Sequence, residues 1–394
     1  MSEAAGASTV VVEFVDWLKR IASSDASDLH VKANSAPMIR ERGELVRLER
    51  PPLSAAETRA LAEAIVPANR KARFEEDGEL DFAHSVPGVG RFRANVFLQR
   101  GSISMVLRKL RMGGPTLDEV GLPEIVRELA DTPRGLVLVT GPTGSGKTTT
   151  LAAMIQHINA TKAVHIVTIE DPIEVLHADM KAAVNQREVG QDSKTFLSAL
   201  RAALRQDPDV ILIGEMRDPE TVRAALQAAE TGHLVLSTLH TTDATETVNR
   251  ILDFFPAHQQ QQVRFTLAGA LRGIICQRLV PGVTRDRVPC LEVCVNNGRI
   301  AERISKPDLT AEIEEIIAKG ASYGMRTFDQ SLLELVVVGD VTVEEALAAA
   351  SEPHDLELAL QQAGVVQVQT TSPMTSPVAP TLAGSVWSAS TPAD

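Results

Sequence analysis

Residues 135–151, Gly-Leu-Val-Leu-Val-Thr-Gly-Pro-Thr-Gly-Ser-Gly-Lys-Thr-Thr-Thr-Leu, restrict what this chain can fold into more than any other stretch. The apolar run Leu136 to Val139 reads as a fully buried strand. It breaks at Gly141, and Gly141, Gly144 and Gly146 let the backbone turn tightly enough to aim several N–H groups inward. Lys147 and Thr148 then open a helix whose N-terminus carries partial positive charge. Gly141, Pro142, Thr143, Gly144, Ser145, Gly146, Lys147 and Thr148, with Thr149 following, form the full G-x-x-x-x-G-K-[ST] phosphate loop in its strand–loop–helix setting. A bound nucleoside triphosphate is predicted, with Lys147 on its β- and γ-phosphates and the Thr148 hydroxyl on Mg²⁺.

The 394 residues suffice for two or three domains. A formal net charge of −12 leaves no general basic footprint, so no nucleic acid is expected as a partner. The start, Met-Ser-Glu-Ala-Ala, lacks a basic and apolar leader, and no run approaches the ~18 apolar residues of a membrane span. Cys276, Cys290 and Cys294 are widely spaced and odd in number, which suits a reducing cytoplasm and supplies no metal framework.

Along the chain, Val11, Phe14, Val15, Leu18 and Ile21 mark a helical face. A strand at 28–31, a hairpin at 37–48 and a capping box at Ser54 to Glu57 before a helix follow, then strands at 91–99 and 102–110. Residues 9–110 therefore read as a small α+β domain, and 111–121 as a linker. From 122 to 298 strands (136–139, 164–169, 209–213, 234–239) alternate with helices (147–159, 193–206, 219–231, 243–253). That rhythm predicts an α/β core with a largely parallel sheet and its ligand at the strands' C-terminal ends. Periodicity extends a helical stretch from Pro256 to about Leu279 and makes 308–363 helical. Residues 364–394, rich in Thr, Ser, Pro and Ala, read as a disordered tail.

Four further groups bear on the phosphates. Val210 to Ile213 is a second buried strand, followed by Gly214-Glu215; with glycine where an Asp would be usual, Glu215 is cast as the group that polarises the attacking water. The strand ending at Ile169 runs into Glu170-Asp171-Pro172-Ile173-Glu174, acids placed where a hydrated Mg²⁺ would sit. His233 and His240 flank the strand 234–239, about 23 Å apart at ~3.3 Å per residue, so they cannot share a metal. His240 falls at the nucleotide-facing end, where it would sense the γ-phosphate. Arg91, Arg93, Arg100 and Arg108 form a basic pocket in an acidic protein, which fits phosphate charge.

These boxes, in this order, resemble those of the secretion ATPase superfamily of hexameric RecA-like motors, and most closely the type IV pilus retraction ATPases of the PilT/PilU kind. Ala26 to His30 and Gly90 to Asn95 match as well. The resemblance, covering residues 9–363, implies a PAS-like N-terminal domain, a RecA-like P-loop motor domain and a helical C-terminal region from 299 to 363. It implies Mg²⁺-dependent hydrolysis of ATP by a homo-hexamer that powers pilus retraction and twitching motility. Glu215 becomes the catalytic glutamate, Glu174 an active-site acid, and both Mg²⁺-side groups with Thr148; His233 and His240 join the catalytic set. Arg93 and Arg108 become arginines that reach the γ-phosphate. Implied partners are an inner-membrane pilus platform protein and a PilT-type ATPase, with the ring in the cytoplasm, peripheral at the inner-membrane face. Assembly and type II secretion ATPases, the alternative, usually carry paired C-x-x-C, which is absent here, and a long N-terminal extension. Arg299 to Ser305 departs from the PilT pattern and Gly324 to Leu332 looks more like PilU. The apolar faces at 311–317, 332–338 and 343–349 are expected to dock a partner motor and to be dispensable for nucleotide binding.

Overall fold

The computed structural model describes residues 2–365, so the expected tail lies outside the described residues except for Gly364 and Val365. The first sheet comprises β1 (Ala26–Lys32), β2 (Met38–Glu41), β3 (Glu44–Arg47), β4 (Glu79–Val86), β5 (Gly90–Gln99) and β6 (Ser102–Lys109). Its strands pair antiparallel in the order β3-β2-β1-β6-β5-β4. The helices Ser2–Ala22 and Ala55–Ile65 cover it with Phe14, Leu18, Ile21 and Leu61, all buried against Leu29, Phe92 and Leu107. Ser54 caps the second helix by accepting from Glu57 N while the Glu57 carboxylate accepts from Ser54 N. A cap of this kind contributes ~1 kcal/mol. Strand β4 carries few branched residues between its turn signals, and the sequence pattern did not disclose it.

The second sheet consists of β8 (Gly135–Thr140), β9 (His165–Glu170), β11 (Ala183–Glu188), β12 (Val210–Ile213), β13 (Leu234–Leu239), β14 (Leu271–Pro281) and β15 (Arg287–Val295). The two-residue strands β7 (Arg111–Met112), ahead of β8, and β10 (Val175–Leu176), between β9 and β11, pair with each other. The order is β11-β9-β12-β13-β8-β14-β15, parallel except for the last pair. Helices on both faces bury β8, β12 and β13 completely, which is why these strands are continuous apolar runs. Every parallel strand brings its C-terminal end to one edge, so the loops after β8, β9, β12 and β13 gather there.

Two expectations need correction. The helix that begins at Ala257 stops at Ala270, and Leu271–Pro281 is β14, inserted beside β8 and turned back through β15. A strand buried on both faces shows no alternation, so its apolar residues imitated a continuing helix. The region 308–363 does form short helices, Ile313–Ala318, Phe328–Val337, Val343–Ala349 and Pro353–Gln362. Most of their apolar residues are already covered by this chain, although Val337 and Val338 stay exposed. Ile313, Ile317, Phe328, Leu332, Ala346, Leu356 and Leu360 share one continuous core with Leu136, Ile274 and Cys290 of the sheet. Removing them would uncover that core, so the segment has a packing role in this chain beyond any docking.

Candidate nucleotide site

Strand β8 ends at Thr140, and the chain turns at Gly141 with φ 142°. A Cβ at Gly141 would lie 2.4 Å from the Gln277 carbonyl oxygen, so only glycine fits. Gly146 (φ 89°) precedes the helix Lys147–Thr161 and offers no side-chain cap. The first-turn N–H groups of that helix are thus left for an anion. Thr150 N already closes onto Gly146 O at 3.0 Å, which fixes the helix start. The Lys147 ammonium is folded onto the loop, donating to Gly141 O at 2.7 Å and Pro142 O at 2.9 Å. Burial lowers its pKa and the Glu215 charge opposes that shift. Ser145 Oγ is buried without a hydrogen-bond partner. A cradle of open N–H groups, a buried cation and an orphaned hydroxyl fits a phosphate chain.

The cleft above this loop has a volume of about 570 Å³ and is lined by Lys147, Thr148, Glu170, Glu174, Glu215 and His240, among others. Glu215 follows β12 by two positions. Its carboxylate meets Arg217 Nη2 at 2.5 Å and stands 3.8 Å from His240 Nε2. Gly214 packs so closely under β9 that a Cβ would meet Ile169 O at 3.3 Å, and Thr238 donates to its carbonyl at 2.6 Å. That contact leaves little room for a side chain at the position where an Asp is usual. Glu170 is buried, and its carboxyl accepts from Thr168 Oγ1 at 2.6 Å and Gln186 Nε2 at 3.1 Å; burial raises its pKa. Glu174, beyond Pro172, reaches the cleft from its exposed turn. Among the described residues no cluster of three His, Cys, Asp or Glu could hold a metal by itself. The donor set of Thr148, Glu174 and Glu215 around one cleft suits a hard cation that arrives with phosphates.

The other predicted site residues lie elsewhere in this chain. His233 sits at the opposite end of β13, its Nδ1 2.9 Å from Ala228 O, and does not line the cleft. Arg108 is tied by Nε to Asp28 at 2.7 Å, and burial of Asp28 is outweighed by Ser27 and Arg108, which hold its carboxyl below the usual range. Arg93, opposite Arg108 in the β5–β6 ladder, lines a neighbouring cleft of about 730 Å³ that shares Asp171 and Pro172 with the first. Arg91 bonds Glu188 of β11 at 3.0 Å, joining the two sheets. Arg100 occupies the turn after β5, at the far end of the ladder from Arg91, so the four arginines form no single pocket.

The structure also brings in residues that the motifs gave no reason to single out. Gln277 of β14 donates through Nε2 to Ser145 O at 2.7 Å and accepts at Oε1 from Thr150 Oγ1 at 2.7 Å. Arg217 and Thr238 brace the segment that carries Glu215. Glu292 of β15 accepts from Ala244 N at 2.9 Å, holding the helix that starts just after His240. Only the buried polar character of Gln277 and Glu292 within apolar runs signals them in the sequence.

Comparison with known proteins agrees with this geometry. Residues 3–375 match the family model described as Type II/IV secretion system protein. The chain is 45% identical over 344 residues to the type IV pilus retraction ATPase PilT of Pseudomonas aeruginosa, covering 87% of this chain and 100% of that one. It is 41% identical over 351 residues to the type IV pilus ATPase PilU of the same organism, covering 89% and 92%. Among solved structures, the pilus retraction motor PilT with bound ADP superposes with a TM-score of 0.78 at 47% identity, covering 86% of this chain and 98% of that one. An N-terminal α+β domain, a RecA-like P-loop core and a helical C-terminal region are therefore its fold, and the chain belongs to the Type II/IV secretion system protein family.

Proposed function

We infer that this chain is an ATPase motor that drives type IV pilus retraction, and so twitching motility. The observation that carries this reading is the full-length likeness to a pilus retraction ATPase, together with a phosphate loop already folded around its lysine. Lys147 and the open helix N-terminus bind the β- and γ-phosphates. The Thr148 hydroxyl, with Glu174 and Glu215 lining the same cleft, would hold Mg²⁺, which when bound would supply positive charge to offset that of the phosphates. Glu215, positioned by Arg217 and near His240, orients the attacking water. Arg93 and Arg108 of the N-terminal unit supply charge to the transition state when that unit moves or a neighbouring copy docks. The motor works as a homo-hexamer in the cytoplasm, against a pilus platform protein at the inner-membrane face. No helix among the described residues is long and apolar enough to cross a membrane, which suits a peripheral position.

Assembly or type II secretion is disfavoured by the lack of any C-x-x-C pair. A part beside a second, PilT-type ATPase is favoured by one feature, the helix Gly298–Ser305 carrying Arg299, Arg303 and Glu302 where the PilT pattern differs. Deletion in the host tests the main reading. Surface pili should accumulate while twitching is lost, and a Lys147→Ala gene should fail to restore it. Loss of surface pili on deletion would point instead to assembly.

A further inference from the structure

Strand β14 lies parallel to β8 with Cys276 opposite Thr140, so Gln277 is the first residue of β14 beyond the last pair. It therefore stands where the phosphate loop leaves the sheet. Its backbone oxygen sits 2.4 Å from where a Gly141 Cβ would be, and its Nε2 sits 2.7 Å from where a Gly146 Cβ would be. Gln277 thus packs against two glycines of the loop, its backbone on Gly141 and its amide on Gly146, whose φ of 89° itself favours glycine. The side chain is 1% exposed, and both ends of its amide are used, one on Ser145 O and one on Thr150 Oγ1. The first bond fixes the peptide that precedes Gly146; the second fixes the first full turn of the helix Lys147–Thr161. An amide is the one side chain of this length that donates and accepts at once. Methionine would fill the space and make neither bond. Glutamate would set a carboxylate against the Ser145 carbonyl, two acceptors facing each other in a buried place.

We propose that Gln277 is the positioning residue of the phosphate loop: its amide clamps Ser145 to Thr150 and so holds the loop's N–H groups in the arrangement that phosphate requires. The following residue ties this clamp to the rest of the molecule. Arg278 lies over the Phe328 ring at 3.8 Å and donates to Ala349 O at 3.4 Å, so β14 joins the phosphate loop to the C-terminal helices. Gln277 does not line the cleft that holds Glu215 and Lys147, so its effect is on binding.

This inference rests on the nucleotide-binding reading above, and the test separates the two. Measure ADP affinity, and kcat and KM for ATP, in the full chain with Gln277→Met, Gln277→Glu and Thr150→Val. For Gln277→Met the ADP Kd and the ATP KM should each rise about tenfold, as expected for two buried hydrogen bonds lost, with kcat within about threefold of wild type. Gln277→Glu should be weaker still, and Thr150→Val should raise both constants about threefold. Where Gln277→Met fails to fold, Thr150→Val, which leaves Gln277 in place, carries the decision. Unchanged KM in a folded Gln277→Met or Thr150→Val protein, or a fall in kcat at unchanged KM, overturns the proposal. Failure of the wild-type protein to bind ADP would instead overturn the proposed function.

Discussion

The loop after β8 and the arginine-bearing face of β5 and β6 differ in how completely each is held before any ligand arrives. The loop is finished. Lys147 is buried on two carbonyls, Gln277 braces the backbone from the next strand, and glycines sit where a Cβ would collide. The arginine face is loosely engaged. Arg93 is only 3.8 Å from Asp81, with both side chains about half exposed or more, and Arg108 is 68% exposed despite its bond to Asp28. Exposed pairs of this kind hold their side chains weakly. The contrast teaches that, on the proposed reading, phosphate binding is built into one sheet, whereas the arginines proposed to serve the transition state stand on the other. The Arg91–Glu188 pair is one tie across to the second sheet, beside Arg70 donating to Gly190 O, and Ile173 N of the acidic turn donates to Glu188 at 3.5 Å.

The largest effect that would break this contrast concerns the arginines. Arg93→Lys and Arg108→Lys keep the charge and lose the planar fork. Each should lower turnover by up to ~10³ while nucleotide affinity stays near wild type. Full activity in the double variant, measured as steady-state ATP hydrolysis, would reduce that face to solvated surface.

A smaller effect sharpens the comparison within β13. His240 stands beside Glu215, whereas His233 is engaged with Ala228 O at the far end. His240→Ala should cost about tenfold in kcat, at the scale of one weakened polar contact to a catalytic group, and His233→Ala less than about twofold. Equal losses for both would show that the two ends of the strand are not distinguished as the geometry implies.

The smallest effect is on stability and pH. Burial, with Asp243 and Glu314 adding to it, raises the Glu292 carboxyl from the ordinary 4.5 to about 7. The folded protein then binds that proton more tightly than the unfolded chain does. Its contribution to stability is complete below about pH 4.5 and is lost as pH rises towards and through about 7. Glu292→Gln keeps an oxygen for Ala244 N and should flatten that loss. Thermal melting of both proteins from about pH 5 to about pH 8 checks it. Parallel curves would mean that Glu292 carries no such proton.

The legible parts of this molecule were those whose signals are local. The phosphate loop, the alternation from 135 to 253 and the Ser54 capping box each announce themselves within a few residues. What escaped depends on distant partners. Leu271–Pro281 reads as helix until β8 is placed beside it, and Gln277 acquires a purpose only when Ser145 and Thr150, 132 and 127 residues away, are packed against it. The apolar faces of 311–349 looked surplus because the extent of the sheet they cover, including β15, was not visible in the pattern. The separation of Arg93 and Arg108 from the cleft follows from the placement of two whole sheets, which no residue spacing encodes.

Glu215→Gln tests the central claim most directly, because it alters the group proposed to orient the water and leaves the cradle intact. Nucleotide affinity and steady-state ATP turnover are measured on the same purified protein. The account predicts ATP binding close to wild type with turnover reduced by about 10² or more. Turnover at the wild-type rate would contradict it.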